Sequence, residues 1–323
     1  MNLYPAKAFL RHLLTARSTA GHGVHSPFVF DFLTGVVRGK GDPKIMGEVE
    51  RLRMEMLVDR RTVRVTDLGA GSAVHKGEER RVSEIAATAA LPARQAALLS
   101  RIAGSLRGMT VRGENALGTS GQGIILELGT SLGITTLALA LAAPGRRVVT
   151  VEGCPALAAI ARENLRNHGA ANAEVLNMEF SSALGLLRKE GTEVSLAFID
   201  GNHRGEALKQ YVRTIRAMGE EMIIVADDIH MNREMYSAWC SLVVPPKPAA
   251  PAATVPPAPA VPAAPAAPAA QPSPPPLPQI PTASPPQHAP PPSPIAPASL
   301  ETFRFGVLFC LRSLTPGRYR IWH

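Results

Sequence analysis

The sequence predicts a doubly wound α/β fold with a mostly parallel, seven-stranded sheet. Three observations support this. Short apolar runs alternate with segments of helical length between residues 124 and 240, as in a parallel α/β sheet. Several of the runs end in an acidic residue. Two final runs, 303–311 and 319–322, are rich in aromatic and β-branched residues and flank Pro316-Gly317, which indicates a C-terminal antiparallel hairpin.

The first strand and helix of this pattern enclose a glycine-rich turn. The apolar run 124–126 ends in Glu127, and the chain becomes helix-compatible from Ile134. The turn between them contains Gly129, Thr130, Ser131 and Gly133. Such a turn places backbone N–H groups where a ligand can approach closely, because glycine lacks the Cβ atom that would block it. Turns of this kind are common in α/β proteins, so this one alone does not establish a cofactor site.

Strands and helices then alternate through the core. The predicted strands are 148–151, ending in Glu152; 174–178; 196–199, ending in Asp200; and 222–226, ending in Asp227 and Asp228. The predicted helices are 155–168, 181–188, 206–218 and 232–240. The first of them begins at a proline and is followed by Gly169, as helix-boundary preferences favour.

The N-terminal part is predicted to be helical, with helices at 6–16, after Phe28, from Asp42 to Asp59, at 84–91 and at 92–106. His22 and His25 lack a third ligand nearby, which favours structural histidines over metal ligands. The stretch 63–72 imitates the glycine turn with a short strand, an acid and Gly-x-Gly. No second strand ending in an acid follows about 20 residues later, so we interpret it as a loop packed against the main domain, and leave open whether it borders the site.

Most of the 30 prolines lie in a Pro/Ala-rich, nearly uncharged segment, which we expect to be a disordered, polyproline-like spacer. An SH3-type partner for residues 274–278 is left open, although composition favours an inert linker. Such a spacer adds only about 2 kcal/mol of loop-closure entropy, so the hairpin can rejoin the sheet. The predicted organisation is an N-terminal helical extension (1–110), an α/β core (111–243), the insert (244–298) and the hairpin that completes the sheet (299–323).

Composition narrows the class of partner. The net charge is +8, but the basic residues are scattered and few aromatics accompany them, so we expect no nucleic-acid binding. Three widely separated cysteines form no disulfide framework, which favours a cytoplasmic location. No apolar run approaches the roughly 20 residues that span a bilayer, so no membrane partner is expected. A homodimer is left open.

Glu152 lies about 20 residues beyond Gly129, where a carboxylate can accept both hydroxyls of a ribose. The alternative is a solvated acid at a strand end, and the spacing favours the ribose role. It therefore predicts a nucleotide-type cofactor.

Asp200, Asp227 and Asp228 end strands that should be neighbours about 4.8 Å apart, so their carboxylates should converge and repel one another. A hard divalent cation such as Mg²⁺ would resolve the repulsion. The alternative is a salt-bridged cluster with Arg204 or Arg233, and the shared sheet edge favours metal. His203 is placed to act as a general base.

Four stretches carry a family resemblance: ILELGTSLGITT, VVTVEGCP, LAFIDGNHRGEAL and IIVADDIH. In this order and spacing they resemble class I S-adenosylmethionine-dependent methyltransferases. Within that group they are most similar to cation-dependent O-methyltransferases of the catechol, caffeoyl-CoA and macrocin types. The stretches HGVHSPFVF and VTDLGAGS resemble the N-terminal portion of a bacterial branch. The resemblance covers nearly the whole chain except 244–298.

The resemblance implies a role for each matching residue. Those expected to hold the methionine end of the cofactor are Glu127, Gly129, Thr130, Ser131 and Gly133. Those expected around the ribose and adenine are Glu152, Gly153, Glu179 and Phe180. The expected metal ligands are Asp200, Asp227 and Asp228. Asp200 and His203 are the expected catalytic residues, and His203 falls where many relatives place a lysine base.

These observations predict a metal-assisted O-methylation of a small hydroxylated metabolite. One alternative is an NAD-dependent oxidoreductase, although the turn reads Gly-x-x-x-Gly rather than Gly-x-Gly-x-x-Gly. Another is a non-catalytic scaffold that uses the proline-rich insert. The sequence does not identify the methyl acceptor.

Overall fold

Helices make up most of the part before residue 110 that the structure describes. The computed structural model of the protein describes residues 4–16, 24, 26–66, 79–107, 110–111, 114–115, 123–243, 298–311, 314 and 317–322. His22, His25 and the Gly-x-Gly stretch after Asp67 lie outside these residues. So does the predicted insert, apart from Ala298, which begins a strand. Within the described ranges, every helix is too short or too polar to span a bilayer.

The helices predicted in the N-terminal part are present. Asp42 caps one of them by accepting a hydrogen bond from the Lys44 amide at 2.8 Å, and Pro43 occupies its first turn. The elements, in chain order, are α1 (Tyr4–Thr15), α2 (Pro27–Asp31), which continues as a π-helix (Phe32–Val37), α3 (Pro43–Val58), β1 (Thr62–Arg64), β2 (Glu79–Arg81), α4 (Val82–Ala89), α5 (Ala93–Ser105), β3 (Thr110–Val111) and β4 (Glu114–Asn115). β1 and β2 form one small antiparallel sheet, and β3 and β4 form another.

The central sheet is built from the alternating elements that the sequence predicts. They are β5 (Ile124–Leu128), α6 (Ile134–Ala142), β6 (Val148–Val151), α7 (Pro155–Asn167), β7 (Ala173–Leu176), α8 (Phe180–Lys189), β8 (Val194–Ile199), α9 (Gly205–Arg216), β9 (Met222–Ala226), α10 (Arg233–Val243), β10 (Ala298–Glu301), β11 (Gly306–Cys310) and β12 (Arg318–Arg320). The strand order is β12-β10-β11-β9-β8-β5-β6-β7. From β7 to β9 all neighbours are parallel.

The sheet has eight strands instead of the predicted seven, and the hairpin has different partners. β11 pairs with β10 and not with the run 319–322, because the turn at Thr302–Phe305 joins β10 to β11 directly. The Phe305 amide donates to Thr302 Oγ1 at 2.7 Å and helps to close this turn. β11 also pairs antiparallel with β9, and β12 adds to the outer edge as a parallel partner of β10.

Helices cover both faces of the sheet because side chains of each strand alternate between them. In β8, Leu196 and Phe198 join the core formed with α3, α5, α6 and α7. Ala197 and Ile199 join the core formed with α8, α9 and α10. The carboxyl ends of β5, β6, β8 and β9 therefore meet at one edge of a three-layer sandwich, where ligands of doubly wound folds bind.

Candidate cofactor and reaction site

The turn after β5 brings the backbone of two strand ends into close contact. Gly129 has a φ of +108°, and a Cβ atom at this position would lie 2.0 Å from the Asp200 carbonyl oxygen. Gly133, with a φ of +80°, precedes the first turn of α6. Glycine is therefore required at Gly129 by both conformation and space. Ser131, between the two glycines, also has a positive φ of 49°.

Glu152 lies against this turn. Its Oε2 accepts a hydrogen bond from the Ser131 amide at 2.9 Å, and its Oε1 accepts one from the Cys154 amide at 2.9 Å. The end of β6 therefore delivers a carboxylate to the glycine turn, as the spacing from Gly129 indicates.

Glu127 lies beneath the turn and is fully buried. Its Oε2 accepts hydrogen bonds from the hydroxyls of Thr136 and Thr150, and Thr150 also contacts the Thr130 hydroxyl at 2.6 Å. Oε1 has no hydrogen-bond partner among the described residues. Burial raises the pKa of Glu127 to about 7. A buried oxygen of this kind is suited to a donor that arrives with a ligand.

A cavity of about 220 Å³ opens at this edge of the sheet. The predicted residues that line it are Gly129, Ser131, Glu152, Gly153, Glu179, Phe180 and Asp200. Glu127, Thr130 and Gly133 are not among its lining residues. Thr66 and Arg80 also line it, so the segments on both sides of the Gly-x-Gly stretch border the cavity.

The residues that line the cavity also include Asn202 and Tyr211, which were not among the predicted site residues. The Asn202 amide donates to the Tyr211 hydroxyl at 2.9 Å, and the Tyr211 ring packs edge-on against Phe180. Phe180 also fills the space where a Cβ atom on Gly201 would lie, at 2.6 Å. Tyr211 occupies a buried position of α9, and its sequence context resembles that of an ordinary core residue.

Glu179 uses its carboxylate to cap α8, accepting a hydrogen bond from the Ser182 amide at 2.9 Å. Although burial acts in the opposite direction, hydrogen bonds from Ser181 and Ser182 lower its pKa. Glu179 is therefore held as a carboxylate at the cavity wall.

The three aspartates meet at the ends of β8 and β9, together with an unpredicted arginine. The carboxyl groups of Asp200 and Asp227 lie close enough to perturb each other's pKa. Arg304, in the turn between β10 and β11, donates to both oxygens of Asp227, from Nε at 2.7 Å and from Nη2 at 2.6 Å. The same Nη2 lies 3.6 Å from Asp228 Oδ1. The sequence left open a salt-bridged cluster with Arg204 or Arg233, and the arginine that binds these aspartates in the structure is Arg304.

Burial and mutual repulsion perturb this cluster. Burial, reinforced by the charge of Asp228, raises the pKa of Asp200 to about 7. Burial, followed by repulsion from Asp200, raises the pKa of Asp227 well above its ordinary value, and Arg304 opposes this shift. His203 Nε2 lies 3.9 Å from Asp200 Oδ1, so the two predicted catalytic side chains are neighbours.

This arrangement does not fit a divalent cation bound to the three aspartates. Both oxygens of Asp227 already bind Arg304. Among the described residues, only His12, His230 and Glu301 bring three potential ligand atoms within 4.8 Å of one another. Carboxylates are the correct donors for Mg²⁺, but here a guanidinium group occupies the position of the cation.

Comparison with known proteins gives a family match. Residues 126–229, which include all the predicted site residues from Glu127 to Asp228, match the family model described as a methyltransferase domain. A search of curated proteins returned no match.

Several solved structures are similar to this chain. An O-methyltransferase from Bacillus cereus is 19% identical with a TM-score of 0.40, over 58% of this chain and 67% of that chain. A putative O-methyltransferase from Klebsiella pneumoniae is 19% identical with a TM-score of 0.40, over 65% and 72%. The O-methyltransferase of tomaymycin synthesis from Streptomyces achromogenes is 18% identical with a TM-score of 0.40, over 65% and 73%.

The family match coincides with the part of the sheet that forms the cavity. β5, the glycine turn and the acid after β6 lie within it, and so do the aspartates after β8 and β9. The sheet order and this match confirm the resemblance carried by the sequence. Residues 126–229 of the chain are therefore identified as a methyltransferase domain.

Proposed function

We propose that this protein transfers a methyl group from S-adenosylmethionine to a hydroxyl oxygen of a small metabolite. The observation that carries the proposal is one cavity that contains Glu152, the glycine turn and Asp200. A cofactor site and a carboxyl group able to handle a proton therefore share one space. Proximity of this kind is a large part of what a transfer reaction requires.

The residues around the cavity suit the parts of the cofactor. The Glu152 carboxylate is placed to accept the ribose hydroxyls, and the backbone of Ser131 lies beside it. Glu127 Oε1, buried and without a partner among the described residues, suits an ammonium group. Phe180 offers a ring face for the adenine. When bound, S-adenosylmethionine supplies an electrophilic methyl group on a sulfonium.

Asp200 is the residue best placed to take the proton of the acceptor hydroxyl. It lines the cavity, and its pKa of about 7 is close to the value that favours a general base at neutral pH. His203 is not among the lining residues, and its Nε2 lies 3.9 Å from Asp200 Oδ1, which is beyond hydrogen-bond distance. The acceptor oxygen would lose its proton to Asp200 and form the new bond to the methyl carbon, while the bond from that carbon to the sulfonium sulfur would break and S-adenosylhomocysteine would leave as a neutral thioether.

Mg²⁺ at Asp200, Asp227 and Asp228 would require Arg304 to leave Asp227. In the proposed reaction Arg304 therefore provides the positive charge that balances these carboxylates, and Mg²⁺ is not needed. A guanidinium group is always charged and matches a carboxylate with two parallel hydrogen bonds, so it serves this role without a metal.

Calorimetric titration with S-adenosylmethionine tests cofactor binding, and mass spectrometry of hydroxylated metabolites tests for the gain of one methyl group. Asp200→Asn should retain cofactor binding and lose at least about a hundredfold in turnover, the size of a general-base contribution. Glu174→Gln, at an exposed acid of β7, is the matched control and should change neither. Failure to bind S-adenosylmethionine at high concentration would exclude the proposal. Quenching of the protein fluorescence by NADH would favour an oxidoreductase.

A further inference from the structure

A second cavity, of about 190 Å³, lies between α1 and α10. It is lined by Tyr4, Lys7, Ala8, Arg11, His12, His230, Arg233, Tyr236 and Arg320. Four of these residues are Lys or Arg, two are His, and none is acidic. This composition is that of a site for an anion.

The positive charge of this cavity is not balanced within it. Lys7, Arg11 and Arg233 make no ion pair with any residue that the structure describes. Arg320 donates from Nε to Glu301 at 2.8 Å and from Nη2 to the Tyr236 hydroxyl at 2.7 Å. Three basic side chains thus remain available to a ligand.

His12 adds a polar atom to the cavity wall. The side chain is buried, and its Nε2 is 2.9 Å from the carbonyl oxygen of Ile321, to which it donates. The other ring nitrogen, Nδ1, is buried and has no partner among the described residues. In a protonated ring Nδ1 would donate a hydrogen bond to an oxygen of the bound anion. In a neutral ring Nδ1 would accept a hydrogen bond from a hydroxyl group of that anion.

A metal ion is the competing occupant, because His12, His230 and Glu301 lie close enough to share one. However, Glu301 already accepts hydrogen bonds from Arg318 and Arg320, each at 2.8 Å. A divalent cation would therefore lie beside two guanidinium groups. The surrounding charges favour an anion over a cation at this place.

The cavity is close to the reaction site along the chain. His230 follows Asp228 by two residues, which span at most about 7 Å. A second segment makes the same connection. The Phe303 carbonyl accepts a hydrogen bond from His230 Nδ1 at 2.8 Å, and the next residue, Arg304, binds Asp227. Two short segments thus connect the basic cavity with the aspartate cluster.

We propose that this cavity binds a phosphate or carboxylate group of the methyl acceptor, so that the acceptor is an acidic, hydroxylated metabolite. The anion site is inferred from the cavity itself. Its assignment to the methyl acceptor rests on the proposed function, because it requires that the protein transfers a methyl group. Arg11, Arg233 and Lys7 would contact the anion from two helices, and His12 would contact it from below.

Calorimetric titration of the full chain with inorganic phosphate tests the anion site. Arg11→Gln and Arg233→Gln should each weaken phosphate binding about tenfold or more, the loss expected for one hydrogen bond to a charged group. Arg188→Gln, at an exposed residue of α8, is the matched control and should bind phosphate like the unmodified chain. Unchanged binding in both cavity variants would overturn the proposal, as would stoichiometric Zn²⁺ binding that His12→Gln abolishes.

Matched acceptors test the assignment to the substrate. For phenols with and without a carboxylate, and sugars with and without a phosphate, Arg11→Gln should raise the KM of the acidic member at least about tenfold and leave that of the neutral member unchanged. Phosphate should compete with the acceptor and not with S-adenosylmethionine. Phosphate binding without such competition would refute the acceptor assignment. Phosphate binding in a chain that does not bind S-adenosylmethionine would show that the proposed function fails while the anion site stands.

Discussion

Replacing Arg304 with glutamine distinguishes an arginine-balanced aspartate cluster from one that awaits a metal. The substitution removes the two hydrogen bonds, at 2.7 and 2.6 Å, that Arg304 makes to Asp227. The Asp227 side chain is fully buried, whereas Arg304 is 29% exposed. The variant therefore leaves a buried carboxylate without its main counter-charge.

The expected loss of stability is large because the pair is buried on the carboxylate side. Removal of one partner of such a pair costs about 3 to 5 kcal/mol. For a folded part of this size, that corresponds to a fall in Tm of roughly 10 °C. The loss should grow as the pH rises, since Asp227 can bind a proton at low pH and avoid the uncompensated charge.

Thermal and urea unfolding of both proteins measure this loss. Arg147→Gln is the matched control, because Arg147 pairs with Glu174 at the surface, where both side chains are about half exposed. It should cost less than about 1 kcal/mol. A cost for Arg304→Gln no larger than that of the control would refute the burial argument.

The same pair of proteins tests the role of the metal. The unmodified protein should keep its activity in EDTA and gain no stability from Mg²⁺. Mg²⁺ should raise the Tm of Arg304→Gln, because three carboxylates are then free to bind it. A strict Mg²⁺ requirement in the unmodified protein would contradict the assignment of the counter-charge to Arg304.

Three further changes test the cofactor side of the site. Gly129→Ala should cost at least about 2 kcal/mol more than Gly169→Ala, because both glycines have positive φ but only Gly129 lacks space for a Cβ atom; urea unfolding measures the difference. Glu152→Gln should raise the Kd for S-adenosylmethionine about tenfold or more, as seen by calorimetry, because the Ser131 amide and the ribose lose a charged acceptor. Glu127→Gln should flatten the dependence of stability on pH. Burial raises the pKa of Glu127 from 4.5 to about 7, so the folded state binds the extra proton and the unmodified protein loses roughly 3 kcal/mol as pH rises through that window. If the free energy of unfolding changed by the same amount between pH 4.5 and pH 8 in both proteins, this assignment would be contradicted.

Much of the core was predictable because its signals are local. A run of buried residues, a glycine turn and a strand-end acid specify where Glu152 emerges, and parallel strands place it beside Ser131. The convergence of Asp200 and Asp227 follows from the same rule. Parallel strands place their carboxyl ends at the same edge of a sheet, so the proximity of these acids could be predicted without knowing the structure.

Arg304 could not be predicted in the same way. It reaches Asp227 across 77 residues that include the proline-rich insert, and no spacing rule connects a hairpin turn to an acid so far away. The strand before it was also missed. Residues 298–301 read Ala-Ser-Leu-Glu, which is short and ends in a buried charge. That charge is tolerated because Glu301 contacts Arg318, Arg320 and His230.

The contacts of α1 carry a consequence for how the protein is made. His12 bonds the backbone of Ile321, 309 residues away, and Arg320 donates to Thr15 at 2.6 Å. A ribosome adds about 5 to 20 residues per second, so α1 waits roughly 15 to 60 s before its docking partners exist. Until then the Phe9 ring has neither Phe303 nor Trp322 to pack against. The basic cavity is consequently among the last features of the molecule to be assembled, and nascent chains halted before residue 320 would leave the ribosome without it.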